Sequence, residues 1–225
     1  MAAIKAIFFK QLDDFPKNIS VSLLYFMYPV MAFIMGIVIG SSEVYAGMFG
    51  AMFIGVIPMV AISMTVSEDK EYKSLRFLVI AGVKPFQYLF GLTSFVFIAS
   101  LLPILFFVLL GGFSGIHLAY FLIASFFSLI ASCALGATIG IFAKNVQQAT
   151  AIYTPLMLAL MLIPMLASFS EMIARVAEFL FVFQILLVAL NPEHNMARAF
   201  IIIAINMFVL IGLFAVIYKK KGLRG

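Results

Sequence analysis

One short stretch of the sequence carries residue types that can perform nucleophilic catalysis, the Gly-x-Ser-Gly pattern at 112–115. A serine attacks a carbonyl group efficiently when a nearby histidine accepts its proton. The only histidines are His117 and His194, and neither falls within a later apolar run that would bring it back to Ser114. Two glycines in four residues are also typical of a short turn. The sequence therefore favours a connecting loop at Ser114 over a catalytic site.

Signals for cofactor binding are weak along the chain. No segment has the phosphate-binding pattern G-x-x-x-x-G-K-[ST], so we expect this chain to bind no ATP, and we expect no metal or other cofactor on it. The single cysteine, Cys133, lies inside an apolar run and provides no disulfide framework. The net charge of +5 has a sufficient explanation in membrane orientation and contact with anionic lipid, so we expect no nucleic-acid partner.

The most informative group of ionisable residues lies at 67–91. Apolar or small residues recur there at helical spacing, and charged residues fill much of the rest; the recurring set is Tyr72, Leu75, Leu78, Val79 and Gly82. The pattern predicts a short amphipathic helix along the membrane surface. Such a helix can dock into a groove of a soluble partner. An ordinary membrane-surface loop is the alternative interpretation.

Composition decides the environment of these residues. The chain has 225 residues, of which 65% are hydrophobic and only 10% are charged. A soluble domain has roughly 45–50% apolar and about 25% charged residues. So few charges cannot cover a water-facing surface. The sequence therefore predicts one all-α transmembrane domain that spans residues 1–225.

Six apolar runs are long enough to cross a bilayer, which takes about 20 helical residues. The runs lie at about 19–39, 45–66, 86–110, 117–143, 148–168 and 197–218. The only charged residue within them is Arg198, at the start of the sixth run. We expect six transmembrane helices with no proton relay or ion-coupling site inside the membrane.

The N-terminal segment 2–17 has a helical period of its own. Its apolar positions fall on one side and include Ile7, Phe8, Leu12 and Phe15, whereas its charged positions fall on the other. This pattern predicts an amphipathic helix that lies in the membrane interface.

A further apolar stretch, at 177–190, is too short to span the bilayer. We interpret it as a re-entrant or interfacial hairpin on the external face, closed by a turn at Asn191 and Pro192. Just before it, the helical spacing of Glu171, Arg175 and Glu178 predicts an ion-pair ladder on the surface.

The basic residues predict the orientation. Twelve of the 14 Lys and Arg residues fall on one side of a six-span topology, and only Arg175 and Arg198 fall on the other. The positive-inside rule then places both termini in the cytoplasm. Two small-x-x-x-small pairs, Gly36 with Gly40 and Gly136 with Gly140, predict close helix packing.

The order of these features resembles the membrane subunits of type-2 ABC exporters. In that family the second span ends in a pattern like S-x-E-x-E-x-G-T-L-E-x-L, and Ser67, Asp69, Glu71, Ser74, Leu75 and Leu78 stand at matching places here. The chain differs at Lys73 (usually Gly), Arg76 (usually Glu) and Gly82 (usually Pro). A Leu-Asn-Pro before the last span also matches, at 190–192.

The resemblance implies a permease in the plasma membrane of a prokaryote. It implies a pair of such subunits, either two copies or two related chains, above two cytoplasmic ABC ATPase subunits that bind ATP and Mg²⁺. It also implies that the segment with Glu68, Asp69, Glu71, Ser74, Leu75, Arg76 and Leu78 is the coupling helix, and that the N-terminal helix is the connecting helix. An apolar path favours export of an amphipathic or hydrophobic cargo, such as an antimicrobial or cytolytic peptide, a lipid-like molecule or a drug, with a role in antibiotic resistance.

Two other classes of protein share part of this pattern. The substrate-binding membrane subunit of an energy-coupling-factor importer is also a small apolar bundle that needs a separate ATPase. A charged coupling loop between spans two and three would have no special role there. A rhomboid-like intramembrane protease would use Ser114, but it lacks a histidine on a later span.

Overall fold

The computed structural model describes residues 2–167, 169–191 and 195–221, and the regular structure within these ranges is entirely α-helical. The described helices, in chain order, are α1 (Ala2–Asp14), α2 (Ile19–Ile39), α3 (Ser42–Glu71), α4 (Ser74–Ile80), α5 (Pro85–Leu110), α6 (Gly115–Phe142), α7 (Val146–Leu166), α8 (Glu171–Ala177), α9 (Phe181–Leu190) and α10 (Met196–Lys221).

Six of the described helices are long and apolar enough to cross a membrane, namely α2, α3, α5, α6, α7 and α10. These six candidates are the spans predicted from the sequence and fit a multi-pass membrane protein, and the bent pair α8 and α9 would add a seventh if it crossed as one span. The largest difference is in the second span, where α3 continues to Glu71 rather than ending near residue 66. The fifth span ends earlier than predicted, at Leu166, and residue 168 lies outside the described ranges.

Helix α3 is the centre of the bundle. Of its 30 residues, 19 are buried, and they cover all sides of the helix. Besides α4, which follows it in the chain, five helices pack around it: α2, α5, α6, α7 and α9. A helix that is apolar all round belongs in such an enclosed position, because it has no side suited to a second environment.

The contact between α3 and α6 depends on residues without bulky side chains. A Cβ atom at Gly136 would lie 2.5 Å from the carbonyl oxygen of Met59, and one at Gly140 would lie 2.6 Å from Cβ of Val66. The Ser132 hydroxyl donates a hydrogen bond of 2.8 Å to the carbonyl of Gly55 across the same interface. The predicted close packing at Gly136 and Gly140 is therefore confirmed.

The other glycine pair has a different role. Gly40 ends α2 with a positive φ of 77°, and a Cβ atom there would meet nothing within 4 Å. A Cβ atom at Gly36 would lie 3.1 Å from Cα of Ser42, the first residue of α3. The prediction of interhelical packing through Gly40 was wrong, because the pair forms the tight turn from α2 to α3.

The N-terminal helix ends at Asp14, three residues before the predicted boundary at 17. Pro16 explains the difference, because proline disfavours helical geometry at the residue before it and donates no backbone hydrogen bond. The helix packs across the start of α5, where a Cβ atom at Gly91 would lie 3.0 Å from both the carbonyl of Ile4 and Cβ of Ile7.

The predicted hairpin region forms a pair of short helices. The axes of α8 and α9 differ by 104° across a break of three residues. Helix α9 runs antiparallel to α3, because Val182 packs on Gly55 and Leu190 packs on Gly47. Most of α9 is buried between α3, α6 and α10, whereas most of α8 is exposed.

Candidate functional site at the end of helix α3

Asp69 lies in the last turn of α3 and is only 6% exposed. One carboxylate oxygen accepts a hydrogen bond of 3.0 Å from the Lys10 ammonium on α1. The other accepts a bond of 2.6 Å from the Tyr88 hydroxyl on α5. A buried carboxylate needs such partners, because an unpaired charge away from water is costly. Asp69 therefore joins three helices.

The next residue, Lys70, points to α6. Its ammonium donates hydrogen bonds of 2.7 Å to the carbonyl of Ile141 and 2.6 Å to that of Ala143. The last carbonyls of a helix have no partner within the helix and carry the negative end of its dipole. Lys70 therefore binds the C-terminal end of α6 through both hydrogen bonding and charge.

The third residue in succession, Glu71, contacts α7. Its carboxylate accepts a hydrogen bond of 3.0 Å from the backbone N–H of Val146, the first residue of that helix. Because successive residues of a helix point about 100° apart, residues 69, 70 and 71 reach different neighbours from one turn. We call this turn the junction, meaning Asp69, Lys70 and Glu71. It links α3 to α1, α5, α6 and α7.

A tight turn leads from the junction to α4. Lys73 has a φ of 59°, and it is the one described non-glycine residue with a positive φ. Gly82, after α4, has a φ of 79°. Both positions were noted in the sequence as departures from the type-2 exporter pattern, and both adopt the left-handed conformation that suits glycine.

The structure corrects the prediction of which α4 residues face outward. Leu75 is only 4% exposed and belongs to the core, and Leu78 is half-buried against it. The outward apolar side chains are instead Phe77 and Ile80, at 70% and 75% exposure, with Tyr72 beside them at 71%. We call Tyr72, Phe77 and Ile80 the α4 face. Ser74 is half-buried, and the Arg76 side chain lies outside the part that the structure describes.

The apolar residues of α1 mostly face the bundle. Ile7 is 3% exposed, and the rings of Phe8 and Phe15 make edge-to-face contacts with Phe95 of α5. Leu12 is about half exposed. Helix α1 is therefore held to α5 by aromatic packing and to α3 by the Lys10–Asp69 ion pair.

A pocket of about 610 Å³ opens beside the junction, between α1, α2, α3 and α5. Charged residues line part of the pocket, including Asp14, Lys17 and Glu68. Apolar and aromatic residues, including Tyr25 and Phe95, line another part. The pocket therefore offers a polar and an apolar surface to one occupant.

The residues predicted at the hairpin are arranged differently from the sequence expectation. Glu178 forms an ion pair of 2.6 Å with Arg198 of α10, not with Arg175 of its own segment. Within the described ranges, Glu171 and Arg175 have no ion-pair partner, so the predicted ladder was wrong. Asn191 caps the end of α9, and Pro192 lies outside the described residues.

The Gly-x-Ser-Gly segment forms the turn between α5 and α6. Ser114 is exposed and immediately precedes α6. His117 Nε2 lies 2.7 Å from the carbonyl oxygen of Val188 on α9, and its ring packs against Phe113. Among the described residues no hydrogen bond joins Ser114 to His117. His194 lies outside the described ranges.

Sequence reasoning did not identify several residues of this site. Lys10 and Tyr88 were not recognised as partners of Asp69, nor Lys70 as a cap for α6. One signal was available: an acidic residue in the turn after an apolar span requires a partner, and Tyr88 is a hydrogen-bond donor near the start of the following span.

No protein-family model matches this chain, and no curated protein matches it in sequence.

Proposed function

We propose that this chain is the permease subunit of an ATP-driven exporter. In this proposal α1 is the interfacial connecting helix, α4 is the coupling helix that docks on a cytoplasmic ATPase, and α8 with α9 form an external re-entrant hairpin. The termini, α4 and the junction lie in or near the cytoplasm of a prokaryotic cell, and a second permease, identical or related, completes the pathway.

The junction is the observation that carries this proposal. A force applied to α4 passes through a two-residue turn into the last turn of α3. From there Asp69, Lys70 and Glu71 reach α1, α5, α6 and α7. Motion of one short helix can therefore reach most of the bundle. An isolated membrane-surface loop would need no such connections.

The chemistry of the pocket supports an amphipathic cargo. A pocket lined by both charged and apolar residues suits a molecule that has one polar and one apolar side. We therefore retain an antimicrobial or cytolytic peptide, a lipid-like molecule or a drug as the cargo class.

The α4 face provides the sharpest test of ATPase docking. We would replace Phe77 and Ile80 with Asp, tag the chain, and purify it from native membranes in mild detergent. Asp in place of exposed apolar contacts should remove the co-purifying ATPase, because each charge would be buried unpaired at the interface. Leu75 is unsuitable for this test, because Asp at a core position would unfold the helix.

A matched pair of substitutions serves as the control. Phe169 and Met172 are also separated by three residues, and they are 83% and 79% exposed. The double Asp variant at these positions should keep the ATPase bound. If wild type brings down no protein with an ATP-binding phosphate loop, the exporter assignment fails. Co-purification of a shared transmembrane scaffold would instead support the energy-coupling-factor type of importer.

The Asp69→Asn variant separates docking from coupling. It leaves the α4 face intact, so the ATPase should still co-purify. Transport per ATP hydrolysed should fall, because the charge that holds α1 and α5 to α3 is gone. Unchanged coupling would show that the junction is only a structural contact.

A further inference from the structure

A second concavity lies on a different side of α5 from the junction pocket. It is a groove of about 370 Å³ between α5, α6 and α10. Stacked aromatic pairs form two walls, Phe86 with Phe90 on α5 and Phe214 with Tyr218 on α10. Small residues of α6 form the floor; they are Cys133, Ala134 and Ala137. The lining of the groove is therefore almost entirely apolar.

The groove ends at the face of the bundle that carries the described ends of the chain. Phe86 and Tyr218 lie at this end, since Phe86 is the second residue of α5 and Tyr218 lies in the last turn of α10. Lys84 immediately precedes α5. Lys219 follows Ala215 by four residues, so it lies at the edge of the helix side that lines the groove. Both lysines are exposed.

No negative charge balances these lysines within the three helices. Helices α5, α6 and α10 contain no Asp or Glu. An apolar groove that ends in positive charge complements a phospholipid with an anionic head group and an acyl chain. Basic pockets between membrane helices bind such anionic head groups.

We infer that this groove is a binding site for one anionic phospholipid of the leaflet on the side of the chain termini. The acyl chain lies over Ala134 and Ala137 between the aromatic walls, and Lys84 and Lys219 contact the phosphate. This inference is independent of the proposed exporter function, because it requires no ATPase, cargo or second permease.

Native mass spectrometry of the detergent-purified chain tests the inference. The probe is an equimolar mixture of phosphatidylglycerol and phosphatidylcholine with identical acyl chains. Wild type should retain one phosphatidylglycerol in preference to phosphatidylcholine. Reversing both charges (Lys84→Glu with Lys219→Glu) should lower that preference by roughly tenfold or more.

Two further variants separate the apolar from the charged part of the site. Ala134→Phe fills the floor and should abolish lipid retention without any change in charge. Ala119→Phe, at an exposed position elsewhere on α6, should leave retention unchanged. Lys5→Glu with Arg175→Glu alters the net charge equally at two exposed positions on α1 and α8, which do not line the groove, and should keep the preference. Monodisperse elution shows that each variant is folded.

Several results would overturn the inference. Equal retention of the two lipids by wild type would show that the groove is not selective for anionic lipid. Preference that survives in the Lys84 and Lys219 variant would exclude these lysines as ligands. If Ala134→Phe retains lipid but dissociates a dimer of the chain, the groove is an interface between two copies.

Discussion

At the scale of single residues, the Tyr88 hydroxyl donates a hydrogen bond of 2.6 Å to the Asp69 carboxylate. Both residues are buried. A hydrogen bond to a charged group contributes about 1.5–3 kcal/mol, roughly twice the value for two neutral groups. Tyr88 therefore stabilises both the carboxylate and the contact between α3 and α5.

We expect Tyr88→Phe to lower the free energy of unfolding by about 1.5–3 kcal/mol, because the buried carboxylate loses a donor. Tyr28→Phe is a closely matched control. Tyr28 is 3% exposed against 2% for Tyr88, but its hydroxyl contacts only the Met161 sulfur, at 3.4 Å. That change should cost less than about 1 kcal/mol. Denaturant titration in detergent measures the free energy of unfolding of both variants. An equal loss of stability in the two would contradict the role given to Asp69.

A second residue-scale prediction concerns the turn before α4. Replacing Lys73 with Gly should raise the free energy of unfolding by about 0.5–1 kcal/mol. The left-handed conformation costs a residue with a Cβ atom about 1–2 kcal/mol, and the entropy of glycine in the unfolded chain offsets part of the gain.

Lys84 is the control for that substitution, because its φ is −72° and it lies just before a helix. Lys84→Gly should lower the thermal midpoint slightly, whereas Lys73→Gly should raise it. A lower midpoint for Lys73→Gly would mean that contacts of the lysine side chain outweigh the backbone strain.

At the scale of helices, the approach of α6 to α3 is set by the absence of side chains. Gly136 allows the backbone of Met59 to approach α6 directly, and the bond from Ser132 to the carbonyl of Gly55 fixes the register one turn away. Membrane helices associate through such close packing, because lipid supplies little hydrophobic drive between them.

We expect Gly136→Ala to destabilise the fold by about 1–3 kcal/mol, because an added Cβ atom meets backbone that cannot move aside alone. Gly212→Ala, on α10, adds the same methyl group where nothing lies within 4 Å. It should be neutral or stabilise by up to about 1 kcal/mol, since alanine is the better helix former. Similar losses at both sites in a denaturant titration would argue against this close packing.

At the scale of the whole molecule, the orientation of the bundle in the membrane can be tested by labelling single cysteines. Cys133 is the only cysteine of the sequence and is 3% exposed, so a Cys133→Ala background carries no thiol. Single cysteines can then be placed at Phe169 or Ile80, which are 83% and 75% exposed.

We expect a membrane-impermeant maleimide to label Phe169→Cys in intact cells and Ile80→Cys only after permeabilisation. This result follows if the side of the membrane that carries most Lys and Arg residues, together with α4, is cytoplasmic. The opposite pattern would reverse the orientation and place α4 out of reach of a cytoplasmic ATPase.

Much of the molecule was predictable, because the six spans depend on apolar length alone. The faces of short helices were harder. Leu75 and Leu78 have the spacing of an apolar stripe, but the stripe packs inward on the bundle and leaves Phe77 and Ile80 outside. Glu178 has a helical neighbour of opposite charge in Arg175, but it pairs with Arg198, which is 20 residues away. Local periodicity does not report such tertiary partners.

The enclosed position of α3 has a consequence for how the protein is made. A ribosome delivers α3 to the membrane before four of the five helices that surround it, because α5, α6, α7 and α9 all follow in the sequence. Until α5 emerges, Asp69 lacks the hydrogen bond from Tyr88. Until α6 emerges, Gly136 and Gly140 do not cover Met59 and Val66 on α3. The central helix therefore spends its first moments in the bilayer facing lipid or the insertion machinery. A nascent chain truncated before Pro85 should be a preferred substrate for membrane proteases.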